Sequence, residues 1–279
     1  MKKICLKPLF TITIATILMA GCTNAPKQAK ETKSIGINGS IEATETANLK
    51  GKILEIVKDA PKGVELIEML NNAGASYMID LTLPVENAEK MISKNSKSLG
   101  IGFYAVDTKY ASVYNRGDME LKINKVIRGL VLDLGIGGEF EGIKKLNARI
   151  TNNQSNKDSV KILTSLIFSE VHKQMSVGTH SKIYGLSIMG ANVEALYILT
   201  QICLFAHDNY EFLELVRNQK ERVATVFKLL EVMSVDETIK PYFESMKPIM
   251  KFFEETKVIG DPEIKIIAPQ IQKLRNSMI

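Results

Sequence analysis

The sequence predicts an all-α fold: a single multi-helix domain of eight to ten helices around a buried central helix near residues 181–205. Three observations lead there. No proline falls between Pro84 and Pro241, a stretch of 156 residues, whereas a β-rich chain of that length needs more turn punctuation. Apolar residues recur at helical spacing in segment after segment. The segment from Ser181 to Phe205 is apolar around its whole circumference, which marks a helix enclosed by others. A chain with 45% apolar residues has an ordinary supply of core.

The first 22 residues read as an address. A basic start (Lys2, Lys3, Lys7) precedes an apolar run, Leu9 to Leu18, too short for a permanent span and typical of a secretory signal. It ends in Leu18-Met19-Ala20-Gly21-Cys22, the pattern of a bacterial lipoprotein processing site, with Cys22 the expected site of palmitate-type lipidation. Two or three acyl chains at about 0.8 kcal/mol per buried methylene hold a protein to a membrane durably. Thr23 follows where an Asp would retain the protein in the inner membrane, so the expected location is the outer membrane, facing the periplasm. Residues 22–48 contain few large apolar side chains and are expected to form a flexible tether, spanning about 30 Å. The helical domain is then 49–279.

Within it, amphipathic segments are expected at 62–73, at 85–115 with a break near Gly100 and Gly102, at 140–152, 157–177, 209–233 and 263–277. Ile123, Val126, Ile127, Leu130, Val131 and Leu134 define another, with Asp118 placed to cap it and Gly135 to stop it. Ile239, Tyr242, Phe243, Met246, Ile249, Met250 and Phe253 define one after Asp236, in which Pro248 lacks a backbone N–H and is expected to kink or break the helix. The 181–205 helix is not read as a membrane span, because Lys182 and Glu194 interrupt it. Leu99-Gly100-Ile101-Gly102 returns as Leu134-Gly135-Ile136-Gly137, but the following residues do not match and no third copy exists, which argues against a repeat array.

Several function classes fall away. Without Lys2, Lys3 and Lys7 the balance is 33 basic to 31 acidic residues, so no nucleic-acid partner is expected. Cys5 leaves with the signal and Cys22 takes lipid; Cys203 remains alone in an apolar run, a packing residue and not a nucleophile. Gly185-Leu186-Ser187-Ile188-Met189-Gly190 misses the hydrolase elbow by one residue and lies in a helix. The glycines at 135, 137 and 138 lack dinucleotide or P-loop spacing. His172, His180 and His207 form no metalloprotease pattern. No metal, no cofactor and no catalytic residue is expected.

What stands out is a polar-aromatic stripe. Tyr104, Asp107, Ala111 and Tyr114 lie at i, i+3, i+7 and i+10 and share one helix face, with Tyr110 alongside. An aspartate in such company needs hydrogen bonds, and so does Glu194 on the central helix. The economical expectation is one polar network of Tyr104, Asp107, Tyr110, Tyr114, Glu194 and Tyr197, with tyrosine hydroxyls serving the carboxylates. It either fixes helix register or lines a ligand pocket.

The run Gly102-Phe103-Tyr104-Ala105-Val106-Asp107-Thr108-Lys109-Tyr110-Ala111-Ser112-Val113-Tyr114-Asn115 and the run Ile188-Met189-Gly190-Ala191-Asn192-Val193-Glu194-Ala195-Leu196-Tyr197 together resemble a family of uncharacterised, all-helical bacterial lipoproteins. In that family Tyr-x-x-Asp-x-x-Tyr-Ala precedes a Gly-rich helix carrying Glu-x-Leu-Tyr; here Ala191-Asn192 stand where the family has a Gly and a large aromatic. The resemblance implies a lipid anchor, a helical fold and a pairing of Asp107 with Glu194, and it implies no activity. The expected function is a membrane-anchored envelope protein that binds or scaffolds, with an envelope protein as partner. The alternative is a small-molecule binding protein or enzyme using Asp107 and Glu194 as a carboxylate pair in a cleft.

Overall fold

The computed structural model describes residues 37–136, 141–152 and 180–279, with Ser159, Ile162, Leu163, Leu166, Glu170 and Lys173 between them. Cys22 and the signal, most of the expected 157–177 helix, His172, Gly137 and Gly138 lie outside the described residues. The chain divides into two compact units, Met1–Ile41 and Glu42–Ile279, and the packing that follows belongs to the second. Among the described residues there is no strand, and the fold is all-α. Its helices are α1 (Ile37–Lys58), α2 (Gly63–Asn72), α3 (Lys94–Val113), α4 (Gly117–Asp133), α5 (Glu141–Asn152), α6 (Ser181–Phe205), α7 (Tyr210–Arg217), α8 (Lys220–Met233), α9 (Lys240–Glu255) and α10 (Asp261–Ser277). Two 3-10 turns, Ile79–Leu81 and Val85–Lys90, lie between α2 and α3.

The central helix has the expected bounds. Of the 25 residues of α6, 18 are buried. It is the one described helix long and apolar enough to cross a bilayer, but α2, α3, α7, α8 and α10 pack on it, so its apolar surface meets protein on all sides. The closest approach is to α3. A Cβ on Gly102 would fall onto the Ser187 carbonyl oxygen and the Ala191 nitrogen, and one on Gly190 onto the Leu99 carbonyl. The two backbones therefore touch, and Ser187 Oγ donates across the seam to the Ser98 carbonyl at 3.0 Å. These glycines do not break α3, which runs unbroken from Lys94 to Val113. Tertiary packing outweighs the roughly 1 kcal/mol that each glycine costs a helix.

Other expectations need correction. Residues 37–48 belong to α1 and not to a coil tether; Glu42, Ala43, Glu45 and Ala47 are strong helix formers, and the helix continues into Ile53 and Val57, which are buried. Low apolar content there does not mean low helix propensity, and a domain boundary at 49 falls inside a helix. Asp118 does not cap α4: Arg116 is the N-cap residue and Asp118 sits in the first turn, where its charge still favours the helix N-terminus. Gly135 does stop α4, at φ +77°, and its N–H donates to the Leu132 carbonyl at 2.9 Å. Leu99-Gly102 lies inside α3 while Leu134 and Gly135 end α4, so the shared tetrapeptide has two unrelated roles. The 209–233 segment is two helices, the first capped by Asn209 Oδ1, which accepts from the Phe212 N–H at 3.1 Å. Pro248 lies within α9 without breaking it.

At the start of α6 a surface clamp joins three elements. Asp236 accepts from Lys182 Nζ at 2.7 Å and Asn95 Nδ2 at 3.1 Å, which brings together the α6 and α3 N-termini and the loop before α9. The contact of α3 with α6 makes a direct prediction. Gly102→Ala must push two backbones apart and destabilises the domain by about 1–3 kcal/mol or more. Gly129→Ala, in open space on α4, stabilises it by about 0.5–1 kcal/mol. Urea denaturation of both variants measures the contrast.

Candidate functional site

The tyrosine stripe of α3 serves backbone and not carboxylates. Between α2 and α3 the chain crosses α3 as an irregular strap, Ala75 to Pro84, whose peptide groups need partners outside a regular ladder. Tyr114 Oη donates to the Ala75 carbonyl at 2.6 Å. Tyr110 Oη donates to the Ser76 carbonyl at 3.2 Å and accepts from the Met78 N–H at 2.9 Å. Asp107 Oδ2 accepts from the Leu83 N–H at 2.9 Å, and Tyr104 Oη donates to the Pro84 carbonyl at 2.9 Å. Successive turns of one helix face thus hold a strap that runs antiparallel to it. Tyr77 from the strap packs on Tyr110 and Tyr114, with ring centroids 4.8 and 5.7 Å away, and Arg116 lies over its ring at 5.1 Å. Burial pushes the Tyr110 phenol up to about 12, so these hydroxyls stay protonated donors.

Behind the strap lies the charged centre. Glu194, on the buried face of α6, holds Arg275 of α10 by two bonds, Nε to Oε2 at 2.5 Å and Nη2 to Oε1 at 2.7 Å. The ring of Tyr197 covers the guanidinium at 4.2 Å. Glu194 and Asp107 are both 0% exposed and Arg275 6%. Burial raises the Glu194 pKa, opposed by the charge and hydrogen bonds of Arg275. Burial also works against the Arg275 charge, but Glu194 outweighs it and the Arg275 pKa ends above its ordinary value.

Asp107 is the second carboxylate against this one cation. Its Oδ1 is buried with no donor on it, and its carboxyl feels the Glu194 charge. Burial first, and the Glu194 charge second, lift the Asp107 pKa well above the ordinary value. Of the two acids, Asp107 is the one without a cation hydrogen-bonded to it, and Glu194 the one that holds Arg275. Asp107 Oδ2 accepts from the Leu83 N–H, and burial beside a second carboxyl favours the neutral form of this acid over the charged one.

The structure brings Asp107 and Glu194 together but corrects the rest of the expected network. Tyr104, Tyr110 and Tyr114 spend their hydroxyls on the strap, and Tyr197 joins through its ring alone. Tyr104, Asp107 and Glu194 have no exposed surface, so the two acids do not share a solvent-reachable cleft, as paired acid-base catalysis requires. Sequence reading missed Arg275. Ile264, Ile267, Ala268, Ile271, Leu274, Arg275 and Met278 are all buried at helical spacing, so an arginine sitting on the apolar stripe of α10 was the available signal. Arg222 on α8 is the parallel case: its Nε donates to Gln219 Oε1 at 2.7 Å and its Nη1 to Asn192 Oδ1. Burial lowers its pKa to about 10. The Cys203 thiol is buried and burial raises it to about 12, which suits a packing residue. His207 Nδ1 lies 3.3 Å from Asp261 Oδ2 at the surface, and among the described residues no group of acids, histidines and cysteines is spaced to hold a metal.

No family model, curated protein or solved structure matches the chain.

The raised Asp107 pKa fixes the sign of a pH effect. Its contribution to stability is fully present below the ordinary value of 3.8 and is lost as pH rises through the folded value. Asp107→Asn keeps an acceptor for the Leu83 N–H and cannot ionise. Its stability relative to the wild type is expected to improve steadily from acid to neutral and alkaline pH. Glu194→Gln strands the Arg275 charge and costs about 3–5 kcal/mol at neutral pH. Denaturant melts of the three proteins across pH separate these outcomes.

Proposed function

We propose that the chain is a lipid-anchored protein of a bacterial cell envelope, held at the outer membrane through Cys22, whose helical domain binds or scaffolds and does not catalyse. One observation carries the non-catalytic half of this reading: the most chemically suggestive acids, Asp107 and Glu194, are fully buried and committed to Arg275 and the strap. Perturbed carboxyls often mark active sites, but a reacting group needs access to a substrate, and these hold helices together instead. The anchor is supported by the basic start, the short apolar run and Leu18-Met19-Ala20-Gly21-Cys22. The likeness of the Gly102–Asn115 and Ile188–Tyr197 runs to helical bacterial lipoproteins supports the anchor and the helical fold. The proposed partner is another envelope protein.

The anchor is tested by labelling cells with a clickable palmitate analogue and fractionating them. Wild-type protein is expected to carry label and to sediment with membranes, and Cys22→Ser to lose both. An unlabelled, soluble wild type, or a labelled Cys22→Ser variant, contradicts the proposal.

A further inference from the structure

On the outer side of the strap lies a cavity of about 760 Å³, within the size range of small-molecule sites. Arg275 forms part of its wall. Glu194 takes the Nε and Nη2 hydrogens and Tyr197 covers the guanidinium, while Nη1 has no partner among the described residues and is not among the sealed polar atoms. A side chain only 8% exposed is thus fixed by its partners so that one donor nitrogen remains for the cavity. A rigid donor of this kind loses little entropy on accepting a ligand oxygen.

The charges around it are of both signs. The cations facing the cavity from the helices are Lys122 on α4 and Arg275 on α10, whereas the strap and the turn after it supply Asp80 and Glu86. Lys122, Asp80 and Glu86 make no hydrogen bond or ion pair among the described residues. Lys90, also in the lining, is tied to Asn87 Oδ1 at 2.8 Å. Glu194 already neutralises Arg275, so the cavity attracts no simple anion. It offers both acceptor-seeking groups, Lys122 and Arg275, and ammonium-seeking ones, Asp80 and Glu86. Leu83, Val85 and Met119 add an apolar wall.

We infer that this cavity is a binding site for a small zwitterion with an apolar body, an amino acid or short peptide in class, its carboxylate on Arg275 Nη1 and Lys122 and its ammonium on Asp80 and Glu86. The site is separate from the lipid anchor and needs neither the anchor nor a partner protein. The test is calorimetric titration of the full chain with L-leucyl-L-leucine, alongside its N-acetyl derivative and its C-terminal amide, each of which removes one charge. Lys122→Ala and Asp80→Ala change exposed residues outside the core, and their unliganded melting temperatures verify the fold. Saturable binding of the dipeptide at millimolar or lower concentration is expected, weakened about tenfold or more by either chemical block and by either substitution. Absence of binding, or binding indifferent to the blocks and to both substitutions, overturns the inference.

Discussion

The domain depends on one buried ion pair. Glu194 sits in the middle of a helix that is otherwise apolar on every side, and an isolated carboxylate there would cost many kcal/mol. Arg275, reaching in from the last helix, makes the charge tolerable through two parallel hydrogen bonds. The pair fixes where α10 docks on α6 and leaves room for only one further carboxyl in its neutral form. Such a pair contributes less to net stability than to the uniqueness of the packing, since an apolar replacement of the same shape is often as stable.

From that constraint the strap follows. Asp107 feels the Glu194 charge on one side and accepts from the Leu83 N–H on the other, so the charged centre and the irregular segment above it share a residue. The tyrosines on either side extend the arrangement along α3, each hydroxyl placed one turn from the next. The strap is thereby held at Ala75, Ser76, Met78, Leu83 and Pro84, and its outer side, with the following turn, walls the cavity. Arg275 belongs to both sides: its Nε and Nη2 bind Glu194 in the interior, and the residue forms part of the cavity wall.

Much of this was legible in the residues. The all-round apolarity of Ser181–Phe205 marked the central helix with its bounds, and Gly135 marked the end of α4. The i, i+3, i+7, i+10 spacing of Tyr104, Asp107, Ala111 and Tyr114 put the stripe on one face, and the need of two buried acids for partners linked Asp107 to Glu194. The rest depended on information that local pattern does not carry. Gly100 and Gly102 look like helix breakers until a second helix backbone is pressed against α3. The start of α1 was hidden because helix propensity, and not apolar content, decides Ile37–Ala47. Arg275 was hidden because its partner lies 81 residues away, although an arginine on the apolar stripe of α10 signals a buried counter-ion. The tyrosine hydroxyls were assigned to the wrong acceptors because the backbone of an irregular strap leaves no trace in side-chain periodicity.

The central claim is that burial beside Glu194 favours the protonated form of Asp107 in the folded protein. Infrared difference spectroscopy of the wild type against Asp107→Asn reads it directly. A carbonyl stretch of a protonated carboxylic acid, present in the wild type at neutral pH and missing from the variant, is the predicted result. A wild-type spectrum in which every carboxyl is ionised at neutral pH, with no such band lost on substitution, would contradict the account.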